Sequence, residues 1–195
     1  SALIFCNHRE AAERTSEFLN HEGIFAAFYH GGMDQDDRER ALIQFRNGSV
    51  NYLITTDLAA RGLDIPEMKH VIHYHLPLHE HEFVHRNGRT ARMHASGTSY
   101  LIVHQDEARP GYLEESLEVI ELPKNNPLPN PPEFVTIYIS GGKKNKINKV
   151  DIVGFFSQKG ELEKGDLGLI EVKDFISFAA VKRIKVKSLL GKIRE

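Results

Sequence analysis

The sequence predicts an α/β domain, a parallel sheet with helices on both faces, followed by a small α+β domain. Three observations carry this. Short apolar runs alternate with amphipathic stretches across the first half of the chain, as strand–helix–strand units do. Residues 122–132 then hold Pro123, Pro127, Pro129, Pro131 and Pro132, a density that blocks helix and sheet and marks a semi-extended linker. Beyond the linker the charge changes sign. From Phe134 onward 13 Lys and Arg stand against 7 Asp and Glu, a balance of +6, so the rest carries −8 of the net −2. The expected organisation is residues 1–121, a linker over 122–132, and a basic module over 133–195 that meets a polyanion.

The elements follow in order. Leu3-Ile4-Phe5 is a short buried strand. Arg9 to His21 has apolar residues at helical spacing, with Ala12, Phe18 and Leu19 expected to face inward and Gly23 to cap the end. Phe25 to Tyr29 is a strand, His30-Gly31-Gly32 a turn, and Asp34 to Phe45 a second helix closed by Asn47-Gly48. Tyr52-Leu53-Ile54 and Val71 to Tyr74 are strands, the latter stopped by Leu76-Pro77. A helix starts near Glu80, Ser99 to Val103 is a fifth strand, and Gly111 to Val119 reads as a helix. After the linker come a strand over Val135–Ile139, a helix over Asn148–Phe156, strands over Leu169–Val172 and Phe175–Val181, and a final helix over Lys185–Ile193. There are no internal repeats.

Composition bounds the class. A hydrophobic share of 41% and a charged share of 27% fit a globular protein. No apolar run approaches a membrane span and no signal peptide is visible, so no membrane partner is expected. The single cysteine, Cys6, excludes an internal disulfide and fits a reducing, cytoplasmic setting. The chain opens directly on a buried-strand pattern, as though cut from a longer protein. Eleven histidines invite a metal reading, with His73, His75, His79, His81 and His85 close in sequence. Without paired Cys or His spacing, surface or packed histidines are the better account.

The residues that carry chemistry centre on His85-Arg86-Asn87-Gly88-Arg89-Thr90-Ala91-Arg92. Arg89 and Arg92 are three apart, so on a helix they point the same way, and two guanidinium forks suit phosphate oxygens. The stretch resembles motif VI of superfamily 2 helicases in its DEAD-box form, with Asn87 in a slot usually held by Ile and Met93-His94 in place of small residues. Four further stretches fall in the family's order. Leu3-Ile4-Phe5-Cys6-Asn7 resembles motif IV. Gln35-Asp36-Asp37-Arg38 resembles the Q-x-x-R motif, Thr56 to Asp64 resembles motif V, and Tyr74-His75-Leu76-Pro77 is similar to the following Y-D-L-P. One such string is weak evidence, whereas five in order are specific.

The resemblance implies a RecA-like fold and a set of roles. Arg89 and Arg92 would be arginine fingers on the terminal phosphate of ATP, Asp64 would accept a hydrogen bond from the ribose, and Gly62 would let the nucleotide approach. Asn7, Gly31, Gln35, Arg38 and Thr56 would line the RNA backbone, where neutral Asn, Gln and Thr donors suit contacts that do not read sequence. His85 and Arg86 would hold the interface with the partner domain. No G-x-x-x-x-G-K-[ST] loop and no Asp-Glu-Ala-Asp string occurs. In the family both belong to a first RecA-like domain, which would supply the Mg2+ ligands. The chain alone is therefore expected to be inactive, and that domain to be its partner in cis.

The tail resembles the RNA-binding domain of DbpA-type helicases, through Tyr138-Ile139-Ser140-Gly141-Gly142-Lys143-Lys144, Asp151-Ile152-Val153-Gly154 and Gly168 to Val172. This is an RRM variant that in the family directs the helicase to 23S ribosomal RNA during large-subunit assembly. Tyr138 and Phe175 fit slots where bases stack, Ser177 takes a slot usually held by an aromatic, and Lys143, Lys144 and Lys146 suit phosphate. Phe175 packed in the core is the plain alternative. Only three strands are found where an RRM has four, so the domain is expected to be truncated, lacking its last strand and leaving an open sheet edge. The expected whole is a monomeric ATP-dependent RNA helicase. The alternatives are a DNA-directed helicase of the same superfamily, against which His85 and the tail speak, and a non-catalytic RNA-binding adaptor of ribosome assembly.

Overall fold

The computed structural model describes residues 1–63, 65, 68–90, 97–113 and 117–194. They form two compact units, residues 1–38 with 52–130 and residues 39–51 with 131–195.

The first unit is built on five parallel strands, β1 (Ala2–Phe5), β2 (Ala26–Tyr29), β3 (Tyr52–Thr55), β4 (His70–His73) and β5 (Thr98–Leu101). Their order is β2-β3-β1-β4-β5. Leu3 pairs with Leu53 on one side and Val71 on the other, so the central strand is apolar on both faces, as a covered parallel sheet requires. One face holds Ile4 and Ile54 and packs with Ala11 and Ala12 of helix α1 (Arg9–His21). The other face carries Leu3, Phe5, Leu53, Val71 and His73, all at most 1% exposed. Helix α4 (Glu80–Asn87) lies over that face, with the Phe83 ring 5.1 Å from that of His73. Helix α2 (Gln35–Arg46) ends in Gly48 at φ +66, the left-handed position that the Asn-Gly pair anticipates, and a one-turn helix α3 (Asp57–Ala60) follows β3.

Two expectations are corrected here. Phe18 is 64% exposed, because Ala11, Ala12 and Ser16 form the buried stripe of α1 and Phe18 lies off it. Over 111–119 the described residues form a turn at 111–113 and no regular structure at 117–119, with 114–116 outside the described residues. The anchor there is Tyr112, whose hydroxyl donates to the Pro77 carbonyl and whose ring lies 5.3 Å from Phe83.

The second unit holds an antiparallel sheet in the order β6-β8-β7, from β6 (Phe134–Ile139), β7 (Leu167–Val172) and β8 (Ser177–Lys182). Its core joins Ile170, Ala179 and Val181 to Ile152 and Phe156 of helix α5 (Lys149–Gln158) and Leu189 of helix α6 (Arg183–Arg194). Asn148 caps α5 by accepting from the amides of Val150 and Asp151 at 2.8 and 3.1 Å, and the Asn148 amide donates in turn to the Asp151 carboxylate.

Candidate functional site

In parallel sheets ligands gather outside the strand carboxyl ends, where the chain switches direction about the first strand. Here those ends are tied together by one side chain. Arg86, 1% exposed, donates from Nε and Nη2 to both oxygens of Asp57 at 2.7 and 2.6 Å. It also donates to the His75 carbonyl at 2.7 Å and to Oδ1 of Asn7 at 2.9 Å, and its guanidinium lies 5.0 Å from the centre of the Phe5 ring. It thus reaches the segments following β1, β3 and β4 at once. The expected role of Arg86 at a partner interface is corrected, since a guanidinium with these four bonds and no exposure offers nothing outward. His85, one residue before, is exposed.

Asn7 is spoken for at both ends of its amide, because Nδ2 donates to the Leu76 carbonyl at 2.9 Å while Oδ1 accepts from Arg86. Asp57, to which the sequence assigned no role, is the partner that makes Arg86 a fixed part. Its one sequence signal is its place next to Thr56 at the start of α3.

Beside this knot a small recess is lined by Phe5, Asp57, Ala60, Arg61, Glu82, His85, Arg86 and Arg89. Arg89 is half-buried and donates to the Ala60 carbonyl at 2.6 Å and the Leu63 carbonyl at 3.4 Å, so α3 and the residues after it set its direction. Gly62 has φ +77 and open space where a Cβ would stand, which leaves its backbone approachable. Asp64 and Arg92 lie outside the described residues. The recess therefore sets Arg89, Arg61 and His85 together with Glu82 and the Arg86-bound Asp57, and its guanidinium groups suit an anion.

The other expected RNA-facing residues are dispersed in the first unit. Gly31 is exposed on a turn held by the buried His30, which lies 2.7 Å from a Glu13 oxygen and accepts from the Gly32 amide at 3.1 Å. Gln35 and Arg38 bond each other, Nη2 to Oε1 at 2.7 Å, on the first turn of α2. Thr56 is 9% exposed at the N-terminus of α3. Burial pushes the thiol of Cys6 up and the imidazole of His75 down, and it lowers His73 to about 4. Among the described residues no group of three or more His, Cys, Asp or Glu could hold a metal ion.

In the second unit Tyr138 is 53% exposed on β6, opposite Phe178 and edge-on to its ring. Phe175 is corrected in place. It sits in the turn before β8, not on the strand, and at 68% exposed it is no core residue. Ser177 is fully buried and donates its hydroxyl to the Gly141 carbonyl at 2.7 Å, so it faces the interior. Lys143, Lys144 and Lys146 are exposed on the β6–α5 loop. That loop is stitched to the β7–β8 turn by Lys143 N–H to the Lys173 carbonyl and Lys144 N–H to the Asp174 carbonyl, both 2.8 Å. Gly142 permits the approach, since a Cβ there would stand 2.2 Å from the Lys173 oxygen. Three lysines and one bare ring thus share one end of the sheet.

Comparison with known proteins matches two families along the chain. Residues 1–94 match the helicase conserved C-terminal domain and residues 136–195 the DbpA RNA binding domain. Fold and matches together define the class, a RecA-like helicase C-terminal domain followed by an RNA-binding domain. The ATP-dependent RNA helicase DbpA of Bacillus subtilis is 32% identical over 93% of this chain and 44% of its own length. That of Escherichia coli is 33% identical over 94% of this chain and 41% of its own. A solved DEAD box protein from the hyperthermophile Methanococcus jannaschii superposes with a TM-score of 0.51 at 32% identity, over 53% of this chain and 29% of that one. The chain thus resembles, in both of its parts, the DbpA-type DEAD-box RNA helicases. It spans less than half the length of the two curated relatives.

Proposed function

We propose that this chain is the half of an ATP-dependent RNA helicase that completes the ATP site in trans and carries the RNA-targeting module. The observation that supports this is the recess at the strand carboxyl ends, where Arg89 is aimed by the Ala60 and Leu63 carbonyls beside the open backbone of Gly62. A first RecA-like domain supplies the phosphate loop and the Mg2+ ligands. Closure of the two domains brings Arg89 and Arg92 onto the terminal phosphate as arginine fingers. Asp64 takes the ribose, and Gly31, Gln35, Arg38 and Thr56 follow the RNA backbone.

Lys143, Lys144 and Lys146 hold phosphates of a structured ribosomal RNA, 23S in this reading, and Phe175 and Tyr138 offer ring faces to unpaired bases. The setting is large-subunit assembly in the cytoplasm, with the helicase acting as a monomer. The test joins the chain to its N-terminal half and measures RNA-stimulated ATP hydrolysis. Arg89→Ala or Arg92→Ala should each lower the rate by roughly 10³-fold or more, as loss of an arginine finger does, with the fold intact. Unchanged turnover in both variants would remove the reading.

A further inference from the structure

Asn87 departs from the apolar residue usual at its place in motif VI, and the structure gives the departure a purpose. Its Oδ1 lies 3.0 Å from Nε2 of His73 and accepts from the Ser99 hydroxyl at 2.7 Å. His73 Nε2 and Ser99 Oγ are themselves 3.0 Å apart. The three come from the end of β4, the end of α4 and the edge strand β5. Ser99 pairs with Val71, two residues before His73, so both side chains lie on the same face of the sheet. His73 has no exposure and its ring is held between Phe5 and Phe83, with centroid separations of 6.3 and 5.1 Å.

We propose that His73 and Ser99 are positioning residues for Arg89: by sharing the Asn87 side-chain carbonyl they fix the last turn of α4 and the direction in which motif VI leaves it. The path from Asn87 to Arg89 is short. The Asn87 main-chain carbonyl accepts from both the amide and the hydroxyl of Thr90, at 2.9 and 2.8 Å. The Arg89 amide bonds back to the Arg86 carbonyl at 3.1 Å, and the Arg89 carbonyl accepts from Met68 N–H at 3.2 Å. Removing the acceptor at 87 leaves His73 Nε2 with the Ser99 hydroxyl alone, 3.0 Å away, and releases the turn on which Arg89 is mounted. Because His73 and Asn87 share a hydrogen bond, the two positions form a coupled pair.

The inference rests on the reading of Arg89 as an ATP-contacting group, and its test separates the two. In the helicase with both RecA-like domains, measured well below every variant's melting midpoint, Asn87→Ile should lower RNA-stimulated kcat about tenfold, the effect of losing the shared hydrogen bonds to Asn87, with little change in KM for ATP. His73→Val with Asn87→Ile should restore most of it, and His73→Gln, which keeps an N–H, should stay near the parent. A kcat for N87I equal to the parent's, or a loss that the double variant does not relieve, overturns the proposal. If N87I does not fold, Ser99→Ala, at an exposed position, carries the test, and an unchanged kcat overturns it. If the parent itself shows no RNA-stimulated hydrolysis, the helicase reading fails. Amide hydrogen exchange at Arg89 and Thr90 then decides this one, with faster exchange in N87I or S99A expected and unchanged protection refuting it.

Discussion

Replacing Arg86 by Met keeps a long side chain against Phe5 and removes the charge and every donor. The loss can be worked from the contacts. Four charge-assisted bonds disappear, two to Asp57 and one each to the Asn7 side chain and the His75 carbonyl. Breaking a buried pair by removing one partner costs about 3–5 kcal/mol, chiefly because the remaining charge is stranded. Asp57 retains 23% side-chain exposure, so water relieves part of that and the low end, about 3 kcal/mol, is expected. With a urea dependence of about 2 kcal/mol per molar, the unfolding midpoint of the first unit should fall by about 1.5 M. Urea titration followed by far-UV circular dichroism measures the shift, and hydrogen exchange in β1, β3 and β4 assigns it to that unit. Adding Asp57→Asn should return about 1 kcal/mol by removing the stranded charge. A midpoint within 0.25 M of the parent, about 0.5 kcal/mol, would refute the view that this side chain ties the strand ends together.

Three further outcomes are expected. Burial holds His73 at about 4, below its ordinary 6.5, so the unfolded chain takes up a proton first. Stability from this residue is complete above pH 6.5, is lost as pH falls toward 4, and amounts to about 3 kcal/mol across the window. The difference between parent and His73→Val urea midpoints from pH 7 to pH 4 isolates it from the carboxylates. Gly142→Ala must displace the Lys173–Asp174 backbone and should destabilise the second unit by about 1–3 kcal/mol, read as a lower melting midpoint together with weaker binding of an RNA hairpin. Asn148→Ala removes the cap of α5 and should cost about 1 kcal/mol in the same melt, with Asn148→Asp near the parent.

The strands and most helices were legible because each is a local pattern. Leu3-Ile4-Phe5 and Tyr52-Leu53-Ile54 are continuous apolar runs, and the doubly covered sheet follows from that continuity alone. Phe18 misled because size drew it inward, whereas the stripe of α1 is set by Ala11, Ala12 and Ser16, whose small side chains let the helix lie close to the sheet. Arg86 could not be read as internal, for its partners Asp57 and Asn7 lie 29 and 79 positions away in the chain. The same distance hid the link between His73 and Ser99, so Asn87 read only as a departure. Phe175 reads as strand because Phe175, Ile176 and Phe178 to Val181 are apolar with only Ser177 between, yet the turn ends only at Ile176, whose carbonyl accepts from Lys173 N–H. The 3.6- and 2-residue periods speak for elements, and contacts between distant strand ends leave no period behind.

The stitched pair of loops in the second unit has a thermodynamic consequence. Because the amides of Lys143 and Lys144 already hold the carbonyls of Lys173 and Asp174, the cationic loop and the turn bearing Phe175 behave as one plate. A polyanion landing there meets a surface that surrenders little backbone freedom on contact. Most of the ordering cost falls instead on the lysine side chains, roughly 0.5–1.5 kcal/mol for each one immobilised.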